Sequence, residues 1–245
     1  MIKRKEKKSE VPMPEMAEFE PPAPQSDAAP HVKTLLSDDR LSGVSADNFR
    51  FDGAKAALVV AYISPHIGFA ETVRQIQKLA GSARVVATTT AGELCSSGSE
   101  SVYCGTAKTW RSVVLQIFSR RLIDKAEVFA VPLHCQDIRS GGTSMDREMR
   151  IDKIRRALDN VKPSFSLDPH NSFALTSIDG LSNSENYFME AVYRVARSPC
   201  VFVVGSAGGT SSISSRRSCM TASRRWKTMW FWSSSAWRKA AAMAS

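Results

Sequence analysis

The sequence predicts an α/β fold, a mixed sheet flanked by helices and incomplete at its C-terminal side. Two observations carry that prediction. Short apolar runs rich in β-branched residues alternate with stretches of helical periodicity. The first alternation runs strand, helix, strand, and such a crossover implies parallel strands.

The elements follow in order. Residues 1–36 are Lys/Glu-rich and then Pro-rich (Pro12, Pro14, Pro21, Pro22, Pro24, Pro30), a composition that cannot bury enough apolar surface to offset ordering. This leader reads as disordered, either a solvated tail or a partner-binding arm. Order is expected from about Phe49. Ala57 to Ile63 (ALVVAYI) reads as a buried strand, broken by Ser64-Pro65-His66. Gly68 to Leu79 then sets Phe69, Val73, Ile76, Leu79 and Ala80 at helical spacing. Arg84 to Ala87 is the returning strand.

Ser112–Ser119 and Ala126–Leu133 read as strands that pair as a meander. Met145 to Val161 is a polar helix with Met149, Ile151, Ile154, Leu158 and Val161 as its apolar stripe. Phe173 to Ile178 is a strand. Ser184 to Arg197 is a helix with Ser184 as N-cap and Pro199 as stop. Cys200 to Val204 is the last clear strand.

Composition bounds the function. The 245 residues, 43% hydrophobic and 23% charged, suffice for one sizeable core plus extras. No apolar run reaches the ~18 residues that span a bilayer, and the basic start lacks the apolar stretch of a signal peptide. A cytoplasmic protein is the expectation. The net charge of +9 divides unevenly: residues 210–245 carry seven basic and no acidic groups, while residues 31–209 come to only +3. A nearly neutral body argues against a nucleic-acid-binding domain. Cys95, Cys104, Cys135, Cys200 and Cys219 include no C-x-x-C pair and read as free thiols in a reducing compartment. A metal site from Cys95, Cys104 and His134 has only loose spacing to support it.

From Thr210 the composition changes: Trp226, Trp230, Trp232 and Trp237 lie here among Ser and Arg. Basic and aromatic residues in alternation suit a nucleic-acid or membrane arm, but the codons suggest otherwise. Met and Trp each have one codon, so a shift back by one nucleotide converts Met229-Trp230-Phe231-Trp232 into Val-Val-Leu-Val, a buried-strand pattern. Residues 210–245 are therefore read as a frameshift-derived tail of a protein that is longer when intact. A missing neighbour for the last strand would leave an open apolar edge.

Three loops follow strands: Thr88-Thr89-Thr90-Ala91-Gly92-Glu93, Asp179-Gly180-Leu181-Ser182 and Gly205-Ser206-Ala207-Gly208-Gly209. Parallel strands would bring them to one sheet edge, where open α/β sheets bind ligands. Small residues admit a ligand to the backbone, and hydroxyls and N–H groups supply donors. The expected ligand-binding residues are Thr89, Thr90, Gly92, Glu93, Asp179, Gly180, Ser182, Gly205, Ser206 and Gly208; ordinary tight turns are the competing reading. Asp179 and Glu93 could meet as an acid/base pair, though capping roles explain them as well. Neither a dinucleotide fingerprint, a P-loop nor a nucleophile elbow is present. His66, at the end of the first strand, is the single candidate for haem ligation, against a solvated turn role.

The strand ALVVAYISPH, the segment TTTAGEL, the loop DGLSNSENYFMEAVYRV and the ending VFVVGSAGG resemble the N-terminal half of FIST domains, over about residues 45–209. The resemblance implies a non-enzymatic sensor domain of bacterial intracellular signal transduction, residues 37–209. It would bind a small molecule such as an amino acid and feed a chemoreceptor, histidine-kinase or diguanylate-cyclase output. It also implies an alternative, a haem-based nitric-oxide sensor. A hydrolase using Ser182 or Ser206 is the reading from a different class.

Overall fold

The computed structural model describes residues 30–95, 103–104, 109–142, 144–195 and 200–208, with the short stretches 220–221, 224–225 and 228–233. In chain order the elements are β1 (Val32–Asp38), β2 (Arg50–Phe51), β3 (Ala54–Lys55), β4 (Leu58–Ile63), α1 (Phe69–Ala80), β5 (Arg84–Thr89), β6 (Glu93–Leu94), β7 (Tyr103–Cys104) and β8 (Ser112–Phe118). There follow β9 (Lys125–Ala130), α2 (Gln136–Arg139), α3 (Arg147–Asp159), β10 (Ser172–Asp179), α4 (Glu185–Arg194), β11 (Val201–Ala207), β12 (Met220–Thr221), β13 (Arg224–Arg225) and β14 (Thr228–Ser233).

The α/β class holds, and the strands divide between two four-stranded sheets. The first has the order β1-β8-β4-β5 and the second β11-β10-β14-β9. The crossover through α1 makes β4 and β5 parallel, as the strand–helix–strand pattern predicts, and β10 and β11 are parallel too. The meander expected of Ser112–Ser119 and Ala126–Leu133 does not form. β8 pairs with β1 and β4, whereas β9 pairs with β14 in the second sheet. The turn between them buries Ile123 and carries the chain from one sheet to the other.

Period-2 alternation explains why each sheet is covered twice. Val59, Ala61, Ile63, Val85, Ala87 and Leu115 pack with Ile76 and Val73 of α1. The intervening Leu58, Val60 and Val86 face the second sheet, where Phe173, Leu175 and Val128 meet them. On the far side Ala174 and Ile178 pack against Ile151, Ile154 and Phe188 of α3 and α4. The layers therefore run helix, sheet, sheet, helices.

Several local readings change. β1 begins at Val32, upstream of the boundary read at residue 36, because its backbone completes the edge beside β8. In α3, Met149 is 54% exposed and Arg150 is buried in the stripe instead. Asp146 caps this helix, accepting from the backbone N–H of Glu148 and Met149. Ser184 stands at the N-cap of α4, but its hydroxyl donates to the Ser182 carbonyl at 2.8 Å. Pro199 lies outside the described residues, as do residues 1–29 and Cys219.

The tail does not leave its place empty. β14 lies between β10 and β9, antiparallel to both, with Trp230 in register between Leu175 and Val128. Among the described residues the second sheet ends at β9 on one side and at β11 on the other, where Val201, Val203 and Val204 are exposed.

Candidate ligand cleft between the sheets

A cleft of about 530 Å³ opens between the facing sheets. Tyr62, Thr88 and Gln116 line it from the first sheet, and Leu175, Ser177 and Gly205 from the second. The loop from Thr89 to Glu93 and Gly208 close one end. This volume lies in the range of small-molecule sites.

Two of the three predicted loops meet here. They do so across two sheets rather than along one edge. The Gly208 N–H donates to the Thr89 carbonyl at 3.1 Å. A Cβ at Gly208 would strike the Ala91 backbone, so this close approach requires glycine. Gly92 has φ +154, a conformation side chains rarely adopt. Gly205 is different, since a Cβ there would meet nothing within 4 Å.

Glu93 is the chemical centre of the cleft. It is 3% exposed, and among the described residues its carboxylate accepts from two hydroxyls: Thr90 Oγ1 at 2.5 Å and Ser112 Oγ at 2.6 Å. No Arg or Lys lines the cleft, and no ion pair reaches Glu93 among the described residues. Burial pushes the Tyr62 phenol above its ordinary value. Behind Glu93, β6 pairs with β7, and burial, reinforced by neighbouring Cys95, raises the Cys104 thiol.

Other predicted residues lie elsewhere. Asp179, Gly180 and Ser182 do not line the cleft. Ser182 is fully buried and its Oγ has no hydrogen-bond partner, so no base activates it for hydrolysis. The Ser206 side chain is outside the described residues. Glu93 is held by Thr90 and Ser112 rather than by Asp179. Cys95 and Cys104 adjoin in a small apolar cluster, while Leu133 and Cys135, on either side of His134, pack into the second sheet's core. No group of three potential metal ligands forms among the described residues.

His66 does not open onto the cleft. Its ring packs edge-on against Trp110 with centroids 4.6 Å apart, and its Nε2 is buried without a partner. Haem ligation needs that nitrogen at a cavity wide enough for a macrocycle, and the Trp110 ring stands against the imidazole instead. The residues present do not fit haem.

Sequence reasoning missed Tyr62, Gln116 and Ser177, all cleft-lining. Each is a polar interruption of an apolar strand on the face away from its helix, a signal that period-2 reading of the strands would have found.

The comparison with family models settles what kind of domain this is: the FIST N domain model matches residues 57–238. The chain belongs to the FIST family. FIST N domains are sensory domains of signal-transduction proteins. The match passes Thr210 and takes in β14, so it covers the second sheet and all of the first except β1. A comparison with curated proteins finds no match. No helix among the described residues is long and apolar enough to cross a membrane.

Proposed function

We propose that this FIST N domain senses a small amine-bearing molecule, an amino acid by class, bound between the two sheets. Glu93 carries the reading. Among the described residues this buried carboxylate has two hydroxyl partners and no cation, and a desolvated carboxylate without a counterion is costly. A ligand ammonium supplies the counterion. Backbone N–H groups of the loop and the Ser177 hydroxyl remain for a carboxylate or other polar end. Among the described residues no Arg or Lys lines the cleft, which disfavours phosphorylated ligands. No nucleophile–base pair is needed, and the domain works without catalysis.

Signalling follows from where the ligand sits. The Thr89–Gly208 hydrogen bond ties the loop of one sheet to the end of a strand in the other. A ligand touching both favours one relative arrangement by its difference in affinity for the two.

Calorimetric titration with a panel of amino acids and their N-acetylated forms tests this. The free amine should bind and the acetylated form should lose at least about tenfold, the weight of one charge-assisted contact. Glu93→Gln should lose a similar factor, and Gly205→Leu should block binding by filling open space while the fold persists. Equal binding of free and acetylated forms would sink the proposal.

We also propose that residues 229–232 are a shifted reading of Val-Val-Leu-Val. The support is their position, since they lie in a central strand, the place that favours β-branched residues.

A further inference from the structure

A second cavity, of about 490 Å³, lies at the opposite pole of the first sheet, by the N-terminal ends of β4 and β5. Gln77, Ser82, Arg84, Arg120 and Asp124 give it a polar wall. Arg84 and Arg120 are both exposed, and neither makes an ion pair among the described residues, where most other arginines do. Lys55 adds a third cation, its Nζ 3.7 Å from where a Cβ of Gly81 would stand. Among the described residues Asp124 is the one carboxylate in the lining, so the pole keeps a positive excess.

We propose that the acidic stretch of this chain's own leader docks on that pole. Between residues 9 and 30 the leader has Glu10, Glu15, Glu18, Glu20 and Asp27 and not one Lys or Arg. The chain enters the fold beside the cavity, because the His31 carbonyl accepts from the Ser119 N–H at 2.9 Å, next to Arg120. Reach is sufficient. Val32, Phe118, Leu58 and Arg84 form one row across β1, β8, β4 and β5. Three strand spacings come to about 14 Å, the span of roughly four extended residues. Asp27 lies five residues before Val32, and Glu20 and Glu18 lie further back with slack. A tether this short holds the carboxylates at high effective concentration, so contacts too weak for a free peptide suffice. Occupancy would lay the leader over the outer ends of β4 and β5, the strands whose other ends carry the cleft.

Cleavage of the full chain by a Glu-specific protease, mapped by mass spectrometry, tests the docking. At about 50 mM salt, cuts after Glu15 and Glu18 should be at least about threefold slower than in the Arg84→Glu/Arg120→Glu variant. Raising salt to about 500 mM should bring the parent up to the variant's rate, because exposed charges are then screened. The Arg84→Lys/Arg120→Lys variant should stay protected. A carbodiimide should join Lys55 to a leader glutamate within monomers, and should fail to do so in the charge-reversed variant. Amide exchange in β4 and β5 confirms that the variants are folded. Equal cleavage of parent and reversed variant overturns the proposal. Protection that grows with protein concentration also overturns it, since a second copy would then be the occupant.

Discussion

The two sheets have four strands each, but they are assembled differently. The first draws all its strands from residues 32–118, and α1 closes it through a local crossover. Its helix-facing core is largely apolar, and α1 buries no charged side chain. The second takes β9, β10 and β11 and then needs β14, from far along the chain, to stand between β10 and β9. Its helical layer buries a guanidinium: Arg150, 1% exposed, donates to Asp137 at 2.6 Å and lies over the Tyr187 ring. Around it run surface pairs such as Arg194–Glu148 and Arg155–Asp159, each worth little by itself. Local pairing makes the first sheet self-sufficient, whereas the second depends on one distant strand and one buried charge.

The largest effect expected from this contrast comes from ending the chain at Gly209. Without β14, β9 loses its partner strand and β10 loses one of its two. Hydrogen exchange should show protection retained in β4, β5 and β8 and lost in β9 and β10. Loss in both sheets together would mean that the interface between them, not strand pairing, sets the cooperative unit. The reverse change sharpens the comparison. Met229→Val/Trp230→Val/Phe231→Leu/Trp232→Val should raise the Tm by several degrees if these positions are a shifted reading of a β-branched strand. An unchanged or lower Tm would refute that reading.

Much of the first sheet was legible in the sequence. ALVVAYI is apolar at consecutive positions because both faces of β4 are covered, and the stripe of α1 matches its buried Val73, Ile76 and Ala80. What could not be read was sheet membership. Ser112–Phe118 and Lys125–Ala130 have the same local pattern, yet the turn around Ile123 sends them to opposite sheets, a choice made by tertiary contacts. The candidate site was half legible for the same reason. Small-residue loops after strands pointed to Thr89–Glu93 and to Gly205 and Gly208. Nothing local distinguished them from Asp179–Ser182, which follows a strand in the same way but does not line the cleft.

The next effect in size concerns the buried charge. Arg150→Ala should cost about 3 kcal/mol by urea unfolding, as removal of one member of a buried ion pair does. Asp137 gives the pH signature. The Met145 backbone N–H, followed by the Arg150 guanidinium, holds its carboxyl down at about 2. A lowered folded-state value stabilises the protein above the unfolded value near 4. That stabilisation is lost as pH falls from about 4 towards 2. In Asp137→Asn this acid-limb loss should flatten, and an unchanged acid limb would show that other carboxylates govern it.

The smallest effect on stability should have the clearest effect on solubility. Among the described residues β11 pairs with β10 alone, and Val201 and Val203 are 57% and 48% exposed along its length. A flat apolar edge recruits strands from other molecules, and lysine on such an edge opposes that pairing. Val203→Lys should change unfolding free energy by no more than about 0.5 kcal/mol, as exposed positions do. It should also slow light-scattering growth on incubation. The first sheet supplies the control: its edge β1 exposes Val32 and Leu36 but is flanked by the charges of Lys33 and Asp38. Leu36→Lys should therefore have much less effect on aggregation than Val203→Lys. Equal effects would mean that exposed apolar area, not the unguarded edge of the second sheet, drives self-association.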